Sequence, residues 1–329
     1  MKTHAQPFVD VVNFSFQTFN ADYLIDNNHY HYTALPPKWR NHTDNFFLNL
    51  FLPKEFKNGN TLLIRVNSEM INSTIDVPAY NSPVLPSSYP AYSYTKQLQA
   101  VSMPLGFQFV SKNKKWKTVA MVIPKLAGDF KDNDLMKYAQ LGGIFLENYL
   151  PNDKVKIKAG LYYNREAFGN FFMPLVGVDW KINKRIYLYG ILPTNYRAEF
   201  NIIKNRLYTG INFKSLTRSF QLADLSIPQI NRTEKKANTY VRYDEMQLKL
   251  FVDCFVYKGI LLYGEVGYSL GKNPLQYLDY NYSTWEPNYA DPVYTRTEQY
   301  MIFNVGIAYR IRQDLEKKKT EDTKSTRDL

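Results

Sequence analysis

The chain alternates apolar and polar residues in short segments along most of its length. In residues 8–19, Val12, Phe14 and Phe16 stand against Asn13, Ser15 and Gln17, the period-two pattern of a strand with one apolar face. Residues 45–52 repeat it with Phe46, Leu48 and Leu50, and residues 61–71 set Leu62, Ile64 and Val66 against Arg65, Asn67 and Glu69. Segments at 97–110, 116–126, 138–149, 155–163, 171–182, 186–192, 196–202, 207–216, 240–256, 260–270 and 299–312 bring the expected strands to fourteen.

The connections are alternately tight and long. Residues 54–60 contain Asn58-Gly59, a strong hairpin signal, and 111–115, 151–154, 183–184, 204–205 and 257–259 are comparably short. Between them lie longer stretches at 20–43, 72–96, 128–137, 164–170, 217–238 and 271–298. The tight cap at 193–195 breaks this rhythm, and without its two strands the count is twelve. An even number of amphipathic strands, with short turns at one end and long loops at the other, predicts an all-β fold: a transmembrane antiparallel up-and-down β-barrel of the bacterial outer membrane. A soluble barrel reverses the faces, with its apolar side chains inside. The parity sets both termini on the short-turn side, by convention periplasmic.

Composition changes this picture little. Mean hydropathy is −0.41 and no stretch approaches the roughly 18 consecutive apolar residues of a helical span, but a transmembrane strand needs only about 9–11 residues, every second one apolar. Residues 8–312 are expected to form the barrel and 313–329, with five basic and five acidic residues, a charged disordered periplasmic tail. Residues 1–7 read as the residual end of a signal peptide or an N-terminal extension, with Thr3 and Ala5 at the two small positions. The net charge of +11 comes with no nucleic-acid module, so the expected partners are outer-membrane lipid and a small solute, not nucleic acid. Cys254, the single cysteine, falls on an apolar phase.

Between Val155 and Lys214 the runs GLYYNREAFG, FFMPLVGVDWKIN and YGILPTNYRAEFNI, followed by ILLYGEVGYS from Ile260 to Ser269, resemble a family of Bacteroidota outer-membrane β-barrels of unassigned function. The likeness covers roughly a third of the chain and is carried by glycines, prolines and aromatics. It implies location and architecture, with no catalytic or cofactor-binding residues to carry over. The charged tail departs from the usual barrel end, an aromatic residue on the last strand.

The polar phase of the strands gives candidate lumen charges: Arg65, Glu69, Lys117, Lys125, Glu147, Lys156, Lys158, Asp179, Arg197, Glu199, Lys214, Glu245, Lys249, Asp253, Glu265, Arg310 and Arg312. Arg or Lys facing lipid at the bilayer midplane costs about 2–4 kcal/mol, so such side chains are expected inside or at a rim. They either line a narrow small-solute channel or pair into a network that plugs the lumen of a structural or interaction barrel. No enzyme, metal or cofactor is expected: His4, His29, His31 and His42 all precede residue 43, and no motif sets a base beside a nucleophile. Tyr89, Tyr92 and Tyr94, with Tyr277, Tyr280, Tyr282 and Tyr289, read as an interfacial aromatic girdle or as a binding surface on the loops.

Overall fold

A computed structural model of the chain describes residues 8–25, 38–81, 88–223, 239–270, 276–279 and 295–312. Fourteen antiparallel strands form a closed ring. They are β1 (Phe8–Ile25), β2 (Lys38–Glu55), β3 (Thr61–Val77), β4 (Tyr92–Ser102, continued by Leu105–Val110), β5 (Trp116–Gly128), β6 (Ala139–Tyr149) and β7 (Val155–Glu166). There follow β8 (Gly169–Lys181), β9 (Ile186–Ile191), β10 (Asn195–Ile203), β11 (Leu207–Leu222), β12 (Thr239–Tyr257), β13 (Ile260–Ser269) and β14 (Met301–Arg312). Closure is made by β14 on β1, in a register that sets Val305 opposite Phe16 and Asn304 opposite Gln17.

Along most of the wall the strands behave as their alternation predicts. Leu52, Phe109, Val122, Phe145, Phe172, Leu250 and Val305 are exposed on the outside, while Gln17, Asn45, Asn148, Gln247 and Ser269 are buried inside. Pro104 offers no donor within β4, yet the ladder continues: its carbonyl accepts from Arg65 N–H at 2.9 Å, and Met103 N–H donates to Pro124 at 3.0 Å. At the Asn58-Gly59 turn the glycine takes φ of 85°, a left-handed conformation with no Cβ to oppose it. The irregularities at Asp10/Val12, Asn201/Ile203 and Phe255/Tyr257 all fall towards the short-turn end, where bulges commonly terminate pairing.

Several strands run further than the alternation suggests. β1 reaches Ile25, β3 Val77 and β11 Leu222, and the expected long connection at 164–170 is a tight turn at Ala167 and Phe168. Above the lipid, both faces of a strand are polar or covered, so the period-two signal fades while the backbone ladder continues. The girdle expectation changes likewise: Tyr92 and Tyr94 pack against an apolar cluster within the barrel. The side chains of Tyr89, Tyr277, Tyr280, Tyr282 and Tyr289 lie outside the described residues, as do residues 1–7 and 313–329.

One hairpin does not stay in the wall. β9 and β10 are short, and β10 pairs with β11 only up to Asn195 opposite Lys214. β11 and β12 continue paired with each other as far as Leu222 opposite Thr239. This upper part crosses the mouth to the far side of the ring, where Gln221 pairs with Gly128 at the end of β5. Phe220, Leu222 and Val241 there join Trp39, Ile71, Ile75, Val77, Leu98, Ala100 and Ala127, contributed by β2 to β5, in one buried cluster. A Cβ on Gly128 would collide with Tyr138 and the Gln221 carbonyl, so glycine permits the close approach.

Candidate functional site: the barrel lumen

The lumen is built from side chains of every second residue, and its charged members gather into groups. In the first, Arg310 on β14 donates from Nε and Nη2 to the Asp10 carboxylate at 2.6 and 3.0 Å, and from Nη1 to Asp253 Oδ2 at 2.6 Å. Arg197 on β10 donates to the same Asp253 oxygen at 2.7 Å, and its guanidinium lies 3.4 Å from the Phe251 ring centroid. Nearby, Tyr189 Oη donates to Glu199 Oε2 at 3.2 Å. In the second group, Lys156 and Lys158 flank Asp179 at 3.1 and 2.5 Å. In the third, Lys249 meets Glu265 at 2.5 Å, and the same carboxylate accepts from Asn212 and Asn304, each at 2.9 Å.

Higher in the barrel, Arg218 on the inward-bent part of β11 pairs with Glu69 on β3 and lies 3.6 Å from Glu245. Tyr300 Oη donates to Glu245 at 2.9 Å, and Asn45 Nδ2 donates to Glu69 at 2.9 Å. Lys214, also on β11, holds its ammonium 4.9 Å from the ring centroid of Phe47 on β2. The opposite face of the bent hairpin meets Lys125 and Glu166, paired at 3.3 Å, with Ser219 donating to Glu166 from N–H at 3.1 Å and from Oγ at 2.6 Å. Gln140 Nε2 donates to the Ser219 carbonyl at 3.1 Å. At the hairpin's far end Asp129 accepts from Ala223 N–H at 3.1 Å and from Tyr138 Oη at 3.2 Å. Tyr138 belongs to the connection between β5 and β6, and burial, together with the neighbouring Asp129, raises its phenol above the ordinary range, so it stays a donor.

Many of these charges are dry. Lys249 is 2% exposed, while Asp253 and Glu199 are each 1% exposed. Buried charges of this kind persist only where they are paired and hydrogen-bonded.

Of the other sequence candidates, Arg65 points inward towards the short-turn end, 5.0 Å from the Phe51 ring centroid. Lys117 is inward on β5, where Asn148 Nδ2 donates to its backbone carbonyl at 2.9 Å. Glu147 departs from the expectation: it shares the outward face of β6 with Phe145 and Tyr149 and accepts from Thr118 Oγ1 at 2.6 Å. Its phase was hidden by the run Ile144-Phe145-Leu146, in which no alternation is visible. A carboxylate two residues from the strand end also sits near the interface, where charge on the lipid side costs little. Arg312 pairs with Phe8 at the end of β14, and its side chain lies outside the described residues.

The expectation missed Asp10, Lys96, Glu166 and Arg218, all inward. Lys96, Glu166 and Arg218 fall in stretches read as loop, and Asp10 precedes a bulge that inverts the phase of β1. Among the described residues, no three His, Cys, Asp or Glu side chains stand together as a metal-binding set.

A closed ring with an apolar outside and a charged inside is suited to a bilayer. The chain is a β-barrel of the bacterial outer membrane. No family model matches the sequence, and no curated protein matches it. Solved structures similar to it include an outer-membrane channel from Pseudomonas putida F1, at 8% identity and TM-score 0.42 over 94% of this chain and 99% of that one. The Pseudomonas putida toluene transporter TodX is 8% identical, with TM-score 0.39 over 92% of this chain and 90% of its own. The NanC porin is 7% identical, with TM-score 0.32 over 90% and 100% of the two chains. Each likeness is one of barrel architecture.

Proposed function

We propose that this chain is an integral outer-membrane barrel with a shut lumen, acting through the surfaces it presents at the two ends of the wall. One observation carries the reading: Arg218 on β11 pairs with Glu69 on β3, so a single guanidinium joins strands from opposite sides of the ring. The buried Lys249–Glu265 pair adds a dry charge pair on the wall of the same lumen, and the apolar cluster around Phe220 lies across its mouth. An ion passing through would leave buried charges unpaired, at about 3–5 kcal/mol for each broken pair.

A second reading, a narrow small-solute channel opened by movement of the bent hairpin, is favoured by how that hairpin is held. Its end meets the far wall through a single backbone bridge to β5 and side-chain contacts to Glu166 on β7 and to Asp129, not through a strand ladder. The excess of basic lumen side chains would give such a channel a preference for anions.

Planar-bilayer recording from folded protein tests both readings. The shut barrel predicts no conductance steps from the wild type, and steady, charge-sensitive wild-type currents would overturn it. Currents that appear only after R218A/S219A substitution would favour the hairpin-gated channel.

A further inference from the structure

The net charge of the chain is concentrated at one end of the barrel. The six short connections, residues 56–60, 111–115, 150–154, 182–185, 204–206 and 258–259, hold ten basic residues and one acidic residue. Among the described residues, the connections at the opposite end, 78–81, 88–91, 129–138, 167–168, 192–194, 223, 270, 276–279 and 295–300, hold three basic and five acidic residues. Lys112, Lys114 and Lys115 form the densest part of a basic collar to which five of the six turns contribute net positive charge.

Directly below this collar the outer wall is aromatic. Trp116, Trp180, Tyr257, Phe109 and Tyr309 are exposed on it, and Trp116 packs on Tyr149 with ring centroids 4.6 Å apart. Lys258 lies 5.3 Å from the Tyr257 ring centroid, and Lys54 lies 5.9 Å from that of Phe56. Aromatic rings on a membrane wall mark the headgroup level, so ammonium groups seated over them lie in the plane of lipid phosphates. The collar also runs around the circumference, which suits a ring of lipids better than a protein docked on one side.

We infer that this collar binds the phosphate groups of anionic phospholipids in the leaflet surrounding the short-turn end. Basic side chains close to an anionic membrane surface attract its lipids, and the attraction fades with salt. This inference is independent of whether the lumen is open.

The test uses the full chain in bilayers containing phospholipids brominated on their acyl chains. Trp116 and Trp180 face lipid below the collar, Trp39 is buried inside the barrel, and W285F removes the remaining tryptophan. Brominated phosphatidylglycerol should quench more strongly than brominated phosphatidylcholine, with a relative association constant of about three or more at low salt. The ratio should fall to about one at roughly 1 M NaCl, where screening acts within a few ångströms. It should fall likewise in K112Q/K114Q/K115Q/K184Q/R185Q/K204Q/R206Q, whose substituted side chains are all exposed and whose folding is checked by heat-modifiable mobility. A ratio near one for the wild type at low salt would overturn the assignment and leave the collar to an acidic protein partner. A ratio unchanged in the folded collar variant would overturn it as well.

Discussion

At the scale of single residues, the lumen is governed by the cost of leaving a charge dry and alone. Lys249 is 2% exposed and meets Glu265 at 2.5 Å, and the same carboxylate also accepts from Asn212 and Asn304. K249Q removes the ammonium and leaves a buried carboxylate whose direct hydrogen bonds come only from amides, so it should destabilise the folded barrel by about 3–5 kcal/mol. The K249Q/E265Q double variant removes both charges and should recover a large part of that loss, because a neutral buried pair avoids the desolvation of two ions. Urea midpoints of the folded, heat-modifiable form measure both. Equal loss in the single and double variants would show that packing, not charge pairing, is what the site requires.

At the scale of elements, the bent part of the β11–β12 hairpin differs from the strands around it. Residues 215–222 lie beyond the end of β10, so one edge of β11 lacks the neighbour that the lower part has. Besides the Arg218–Glu69 pair, the Gln221–Gly128 bridge and the apolar packing of Phe220, it is held by hydrogen bonds from Ser219 to Glu166 and from Ala223 N–H to Asp129. Hydrogen bonds to charged groups contribute about 1.5–3 kcal/mol each, so S219A/D129N should speed amide exchange across residues 217–222 by about tenfold or more. Exchange across residues 207–214 should stay unchanged, and equal acceleration of both stretches would mean that the hairpin opens only with the whole barrel.

This bend was not legible in the sequence, whereas most of the wall was. Leu248, Leu250 and Val252 against Lys249, Phe251 and Asp253 announce a two-faced strand because lipid and lumen demand opposite side chains. Residues 215–222 carry no such contrast, since both faces are covered within the barrel mouth: Phe220 by the far wall, Ser219 by Glu166 and Gln140. The short β9–β10 pair was visible as the tight cap at 193–195. What the gap above it admits is a tertiary consequence, set by the lengths of β11 and β12 together with Gly128 on the opposite rim.

At the scale of the whole molecule, the barrel is polar along its axis, with a basic collar at the short turns and a slightly acidic set of connections at the other end. Barrels of this class place short turns towards the periplasm and longer connections outside the cell, so the collar should face the periplasm. Single cysteines at Lys112 and Lys184, in the short turns, and at Asn81 and Asn133, in the opposite connections, distinguish the two ends, all four positions being exposed. Cys254→Ser removes the native thiol, which sits on the outer wall of β12 away from the lumen charges. In intact cells a membrane-impermeant maleimide should label the Asn81 and Asn133 variants, and should label the Lys112 and Lys184 variants only after the outer membrane is permeabilised. Labelling of the short-turn pair in intact cells would invert the barrel and place the collar in the outer leaflet. The lipid-binding chemistry inferred for the collar would then have to act on the phosphates of that leaflet instead.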